Sequence, residues 1–212
     1  LSGGGVWIPN NHYLQEAGVK DTYENAKTYM DATIGDRVPE ILKETYLKQG
    51  PEMLRFFHDN TKHMRFKYAT NYSDYYAHLP GGKPTGRSIE PEIIDMRLLK
   101  EWEGLILEPT ISTKGFTMTG QEFHKVNMIM RTLKGKATSL KLGTRMIKSK
   151  LTGAKYASLG RALMARMALS YKQAGGKFTV NAAFKDFIVE HNHVIGVLVE
   201  SNGKQLRIKA NR

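Results

Sequence analysis

The sequence predicts an α/β fold with more helix than strand, ending in an antiparallel β-meander. Apolar residues recur at helical spacing through much of residues 21–174, and after Gly175-Gly176 the period falls to two. The dipeptide Asn202-Gly203, flanked by alternating apolar residues, is typical of a tight hairpin turn. We therefore expect the strands on either side of this turn to pair antiparallel.

Three packed helices are predicted near the N-terminus. Asp21 is expected to cap the first, because a glutamate follows three residues later, and Gly35 ends it. Pro39 suits the first turn of the second helix, which Gly50 is expected to end. Pro51 then begins a short third helix.

The region from residue 64 to residue 91 has the composition of a loop, with tyrosines among polar residues and a Pro-Gly-Gly turn. Beyond it we expect two basic amphipathic helices, Gln121–Leu133 and Thr138–Leu151, separated by Gly135, and a clearer helix over Leu159–Ala174. Four short strands are then expected, near residues 178–180, 187–189, 194–200 and 206–210.

We interpret residues 1–212 as part of one domain with four segments. These are a Gly-rich loop and helices at 1–63, a Tyr/Gly-rich loop region at 64–118, basic helices at 119–174, and the β-meander at 175–212.

The net charge of +12 is unevenly distributed. Between Phe123 and Lys185 there are fourteen Lys and Arg residues and no Asp or Glu. A field of one sign attracts phosphates, nucleic acid or anionic lipid head groups, although a solvated basic face is the simpler interpretation. No recognition-helix or RNP motif accompanies the window, which disfavours nucleic acid as the partner.

Several chemistries lack support in the composition. There is no cysteine, which excludes disulfides and thiolate catalysis and is compatible with a cytoplasmic location. No apolar run is long enough to span a membrane. The histidines do not combine with carboxylates at ligand spacing, so we predict no metal site.

The first residues form a glycine-rich motif, Ser2-Gly3-Gly4-Gly5, followed by Trp7–Asn10. Consecutive glycines let a backbone approach a flat or anionic group closely. The alternative is a flexible tail.

Taken in order, these motifs resemble the 3-ketosteroid Δ1-dehydrogenase group of the FAD-binding fumarate reductase and succinate dehydrogenase flavoprotein superfamily. The sharpest matches are Trp7–Asn10, Gly35–Arg37 and Tyr72–Tyr75. The resemblance implies FAD as cofactor and the helix-rich central part of a Rossmann-type FAD-binding domain. The Gly-x-Gly-x-x-Gly turn of such domains is absent from these 212 residues, so we expect an excised central part, with missing parts of its own chain as partners.

The resemblance also implies roles for individual residues. Ser2, Gly3, Gly4 and Gly5 match a loop beside FAD, and the main chain at Ala183 and Phe184 matches a strand that passes the adenine. Tyr75 is the first candidate for catalysis and Tyr72 the second, at the ring of the substrate that carries the ketone. The choice among Tyr72, Tyr75 and Tyr76 stays open, and a tyrosine cluster that only packs the loop is the alternative.

The function implied is Δ1-dehydrogenation of a 3-ketosteroid or related cyclic ketone, with hydride transfer to FAD. A fumarate-reductase-like alkene reductase is the alternative within the superfamily, and a basic module that binds anionic membrane or nucleic acid is the alternative outside it. We expect a cytoplasmic protein, peripheral to a membrane if the basic window contacts lipid, and a homodimer formed through unpaired strand edges. The isolated 212 residues are expected to bind FAD weakly or not at all and to lack dehydrogenase activity.

Overall fold

The computed structural model describes residues 3–108 and 116–210. Contacts between Cα atoms divide the chain into two compact units, Leu1–Gln173 and Ala174–Arg212. We describe each unit by itself.

The first unit is rich in helix and contains two small sheets. Its elements are β1 (Val6–Trp7), α1 (His12–Glu16), α2 (Tyr23–Ile34), α3 (Glu40–Asn60), β2 (Phe66–Tyr68), β3 (Ser88–Pro91), β4 (Ile94–Asp95), a 3₁₀ helix (Met96–Leu105), α4 (Gly120–Val126), α5 (Leu133–Thr152), β5 (Tyr156–Ala157) and α6 (Leu159–Gln173). In the larger sheet β3 lies between β1 and β2, and both pairings are antiparallel. Strands β4 and β5 form the other sheet, also antiparallel.

The larger sheet buries one apolar face. Ile8, Phe66 and Ile89 pack there with Tyr13 and Leu54, which come from α1 and α3. A second cluster lies around α6, where small alanines allow the helix to approach the 3₁₀ helix closely; it contains Ile94, Met96, Leu99, Ala157, Ala162, Ala165, Ala168 and Leu169.

The helix predicted after residue 21 is present, but its cap is one residue later than expected. Thr22 is the N-cap, and its hydroxyl accepts a hydrogen bond from Asn25 N at 3.2 Å. The carboxylate of Asp21 instead accepts hydrogen bonds from Asn10 N and from Arg87. The predicted stop is confirmed, since Gly35 follows the helix with φ of +63°.

The second and third predicted helices are one continuous helix, α3, and the break expected at Gly50-Pro51 was wrong. Proline costs a backbone hydrogen bond there. Leu47, Gly50 and Leu54 are all buried on one face, however, and this shared burial holds the helix through the proline. Gly50 serves contact rather than termination, because a Cβ at this position would lie 3.1 Å from Ile8 Cγ2.

The two basic helices are present with a different boundary. The helical elements are α4 and α5, and α5 already includes Gly135. Thr132 caps α5 by accepting a hydrogen bond from Gly135 N at 2.9 Å. A Cβ at Gly135 would lie 2.6 Å from the carbonyl oxygen of Met128, so this glycine permits close backbone packing and is not the separator that we predicted.

The loop region also differs, because β2 and β3 lie within residues 64–91. These strands are three and four residues long, too short for a clear period-two signal. The two-residue strand β1 was missed for the same reason.

The second unit is a three-stranded antiparallel meander of β6 (Ala182–Glu190), β7 (His193–Ser201) and β8 (Lys204–Lys209). The antiparallel pairing across Asn202-Gly203 is confirmed. The separate strand expected at residues 178–180 was wrong. The β6–β7 ladder starts at Ala182 and Ser201, where β7 turns into the hairpin, so it cannot extend to earlier residues.

The predicted excess of helix over strand and the C-terminal antiparallel meander are confirmed, whereas the Rossmann-type arrangement stays a prediction. Every strand pair within the described ranges is antiparallel. In the same residues, no helix combines the length and apolar character needed to cross a membrane.

Candidate functional site

A cavity of about 640 Å³ opens over one face of the larger sheet in the first unit. The residues that line it come from the glycine motif, β1, α2, the loop after β2, β3 and the first residues of α4 and α6. They are Gly3, Gly4, Gly5, Trp7, Tyr29, Met30, Thr33, Ile34, Ala69, Tyr72, Ser73, Asp74, Tyr75, Tyr76, Ser88, Ile89, Glu90, Gly120 and Leu159. The structure thus brings together the glycine motif and the candidate tyrosines, which are about seventy positions apart in the sequence.

Strand register explains the floor of the cavity. Trp7 lies opposite Ser88, and Glu90 lies opposite Lys67. Side chains alternate between the two faces of a sheet, so Trp7, Ser88 and Glu90 share the face opposite the apolar core. Gly5 precedes β1 on this same side and leaves the floor open.

The three glycines occupy different environments. A Cβ at Gly4 would lie 2.6 Å from Gly160 N, and Gly4 has φ of +68°, so this residue packs against the start of α6. A Cβ at Gly3 or Gly5 would meet no heavy atom of the chain within 4 Å. Gly3 and Gly5 therefore leave free the space that a ligand's flat face needs, and Gly4 holds the loop in place. Ser2 lies outside the described residues.

The tyrosines project from the loop between β2 and β3, which we call the tyrosine loop (residues 69–87). Asp74 N donates to the carbonyl of Lys83, and Tyr76 N donates to the hydroxyl of Tyr29. Tyr75 has 86% of its surface exposed. A hydrogen bond with Tyr75 raises the pKa of the Tyr72 hydroxyl.

A buried ionic cluster fastens the tyrosine loop to the sheet and to the start of α2. Arg87 is fully buried; its Nη1 donates to Asp74 Oδ2, its Nε donates to Asp21 at 3.0 Å, and its Nη2 donates to the carbonyl of Gly81 at 2.7 Å. The other oxygen of Asp74 accepts from Trp7 Nε1 at 2.8 Å. Trp7, two residues after the glycine motif, is thus joined to the loop that carries the tyrosines through the carboxylate of Asp74.

The sequence patterns do not predict that Asp74 pairs with Arg87. The signal was an arginine beside a glycine at the end of a turn-rich segment, with a lone aspartate among the tyrosines. Neither residue alone predicts which carboxylate the guanidinium meets, because the partners are 13 and 66 positions away.

Ala183 and Phe184 lie in the second unit, on β6, opposite Glu200 and Val199 of β7. The register shifts between Phe184 and Asp186, which is a β-bulge. The extra residue brings Phe184 and Phe187 together with ring centroids 4.8 Å apart. Their proposed place along the adenine stays a prediction.

Within the described residues, the titratable side chains form no cluster of the kind that binds a metal ion. Within residues 3–108 and 116–210 no group of three or more His, Asp or Glu side chains has a geometry that could hold a metal ion. His12 is buried beside Tyr13 and His58, and burial together with the charges of Arg55 and His58 lowers its pKa.

Comparisons with known proteins show the family to which the chain belongs. A family model described as FAD binding domain matches residues 1–212. The chain is 42% identical to a 3-oxosteroid 1-dehydrogenase of Mycolicibacterium smegmatis over 203 residues, which are 93% of this chain and 35% of that protein. It is 38% identical to a 3-oxosteroid 1-dehydrogenase of Mycobacterium tuberculosis over 204 residues, which are 95% of this chain and 36% of that protein.

The structural comparison points the same way. The crystal structure of 3-ketosteroid Δ1-dehydrogenase from Sterolibacterium denitrificans, in complex with 1,4-androstadiene-3,17-dione, matches with a TM-score of 0.78 at 29% identity. The match covers 100% of this chain and 39% of that one. The chain thus spans about a third of the length of the relatives it matches, and the resemblance drawn from the motifs is confirmed.

Proposed function

Because the chain belongs to the FAD binding domain family, we propose that it forms part of a flavin-dependent dehydrogenase acting on a 3-ketosteroid or a related cyclic ketone. The observation that carries this proposal is the shared cavity, which has the glycine motif on one side and Tyr72, Tyr75 and Tyr76 on the other. A cofactor and a ketone would meet there. The steroid dehydrogenases among the relatives support this choice of substrate class.

The residues present fit the cofactor. Gly3 and Gly5 offer backbone with open space above it, so a planar ring system is able to lie against them. When bound, FAD supplies an acceptor for hydride. On this proposal the chain forms the central part of a Rossmann-type domain, and sequence outside these residues supplies the parallel strands.

The tyrosines supply the polar chemistry. A proton on the carbon next to a ketone becomes acidic only when the carbonyl oxygen is stabilised as negative charge develops. A tyrosine hydroxyl that donates a hydrogen bond to that oxygen, or a tyrosine phenolate that takes the proton from this neighbouring carbon (C2), favours this step. The proton leaves C2 and the hydride leaves C1, which forms the C1–C2 double bond.

A series of Tyr→Phe variants in the full-length protein tests this role. We expect Tyr75→Phe to lower kcat by about 10²–10³, because one hydrogen-bond donor to the oxyanion is lost and little volume changes. Tyr72→Phe and Tyr76→Phe are the matched controls, and FAD content should be equal in all three. Loss of turnover in one control alone would move the role to that tyrosine, and full turnover in all three would assign the loop to packing only.

The alkene reductase is less well supported, because the relatives above are dehydrogenases.

A separate observation supports contact with a membrane. Helix α5 exposes apolar side chains spaced by seven and four residues among its lysines; these are Leu133, Leu140, Ile147 and Leu151. We propose that this face contacts anionic lipid, since apolar side chains add to charge at a bilayer surface but not on nucleic acid.

Cosedimentation of the full-length protein with liposomes tests this contact. Binding that needs anionic lipid and weakens in Leu140→Ser/Ile147→Ser supports it. Equal recovery with neutral and anionic liposomes, or binding to duplex DNA alone, contradicts it.

A further inference from the structure

Glu90 is a buried carboxylate on the floor of the cavity. It lies on the central strand β3 with 4% of its surface exposed, and it lines the cavity. Its Oε2 accepts a hydrogen bond from Gly120 N at 2.8 Å. Its Oε1 is buried and makes no hydrogen bond within the described part of the chain. Lys67, which lies opposite Glu90 on β2, forms an ion pair with it, but its Nζ is 3.7 Å from Oε1, which is longer than a hydrogen bond.

Glu122, the other buried glutamate of this unit, has a hydrogen-bond donor for each of its carboxylate oxygens. Both oxygens of Glu122 accept hydrogen bonds from Arg145 at 2.8 Å, and Thr119 N donates to Oε2 at 3.1 Å. Burial alone would raise the pKa of Glu122, but these donors hold it at about 2. Glu90 is buried as deeply and has one oxygen without a donor. A buried acceptor in this state is costly unless a further group supplies the hydrogen.

The surroundings of Oε1 limit what that group is. Trp7, Ser88 and Lys67 share the face of the sheet from which Glu90 projects, and Gly5, which leaves open space, lines the same cavity. A carboxylate in such a place binds an O–H or N–H donor and repels a carbonyl oxygen. The carbonyl groups of a diketosteroid are acceptors only, whereas FAD carries the ribityl hydroxyls and the imide N–H of its ring.

We propose that Glu90 binds FAD through Oε1, by accepting a hydrogen bond from a ribityl hydroxyl or from the flavin imide N–H. The inference rests on the proposed function, because it takes FAD as the occupant of the cavity. Glu90 is on this account a cofactor-binding residue with no part in the proton transfer.

The test is the dissociation constant of FAD for the full-length protein and for Glu90→Gln, measured by flavin fluorescence. We expect binding about 10- to 100-fold weaker in the variant, since a hydrogen bond to a charged acceptor is lost and the amide presents a donor to a donor. Glu122→Gln is the matched control, a buried carboxylate that does not line the cavity. It should lower thermal stability and leave the FAD dissociation constant unchanged.

Flavin analogues identify the donor. Lumiflavin lacks the ribityl hydroxyls and 3-methylriboflavin lacks the imide N–H, and riboflavin carries both groups. The penalty of Glu90→Gln should persist for riboflavin and vanish for the analogue that lacks the donor. Glu90→Asp, which keeps the charge, serves as the second variant if glutamine prevents folding, and its penalty should follow the same pattern across the analogues.

Two results would overturn the inference. Equal FAD affinity in Glu90→Gln and wild type would show that Glu90 has only a structural role, and would leave the proposed function standing. A wild-type full-length protein that binds no FAD would remove the proposed function, and this inference with it.

Discussion

The glycines of the glycine motif have two different roles, contact with the chain and open space for a ligand, and the sequence cannot distinguish them. Three consecutive glycines look alike in a sequence, and we expected all of them to contact FAD. The structure shows that Gly4 makes close contact with the backbone of Leu159 and Gly160, whereas Gly3 and Gly5 face open space. Which glycine contacts the chain depends on where α6 begins, about 155 positions later, and no local pattern contains that information.

This difference predicts opposite effects for two alanine substitutions in the full-length protein. Gly5→Ala adds a methyl group that meets no atom of the chain, so stability should be retained while FAD binds about 10- to 100-fold more weakly. Gly4→Ala combines a left-handed backbone with a clash against Gly160, and should lose about 2 kcal/mol or more of folding free energy. Thermal denaturation and FAD titration of both variants check this. Unchanged FAD affinity in Gly5→Ala would remove Gly5 from the cofactor site.

At the scale of elements, long periodic segments could be predicted and their boundaries could not. Helices α2 and α6 follow from the spacing of their apolar residues. The continuation of α3 through Pro51 depends on the contact of Gly50 with Ile8, and the break between α4 and α5 depends on the contact of Gly135 with Met128. Both contacts exist only in the folded structure, so the local sequence does not predict them. The short strands β1, β2 and β3 owe their existence to pairing with one another, so their own residues signal them weakly.

The attachment of the tyrosine loop is the element-scale feature with the clearest energetic consequence. Removing the guanidinium in Arg87→Met leaves Asp21 and Asp74 buried without their partner. The free energy of unfolding should fall by about 3–5 kcal/mol, because a buried charge that has lost its partner keeps its full desolvation cost. Chemical denaturation of the 212-residue chain measures it.

Arg97→Met is the control for this prediction. Arg97 pairs with Asp95 at 2.6 Å but has 46% of its side chain exposed. Water screens such a pair, so its loss should destabilise the fold much less than the loss of Arg87. Equal losses in the two variants would mean that the Arg87 cluster does not hold the loop.

At the scale of the whole molecule, the sequence predicts the protein family, and the structure shows which distant segments lie side by side. The motif order resembles the 3-ketosteroid Δ1-dehydrogenase group, and the family match together with the similar proteins confirms this resemblance. The sequence could not show that the glycine motif and the tyrosine loop line one cavity, nor that Glu90 lies on its floor. These segments meet through the antiparallel pairing of β1 with β3 and through the hydrogen bond from Trp7 to Asp74, and both contacts join distant parts of the chain. Three expectations for the isolated 212 residues stay predictions: self-association, weak or absent FAD binding, and lack of dehydrogenase activity. Exposed apolar side chains on the meander, such as Phe184 and Ile208, are consistent with the first.

The central claim is that this cavity holds FAD and a 3-ketosteroid together for Δ1-dehydrogenation. The most direct measurement is an anaerobic titration of the FAD-loaded full-length protein with androst-4-ene-3,17-dione, followed by flavin absorbance. Our account predicts loss of the oxidised flavin band and formation of the 1,4-diene, with Tyr75→Phe slowing the absorbance change by about 10²–10³. A flavin that stays oxidised in wild type at saturating ketosteroid would contradict it.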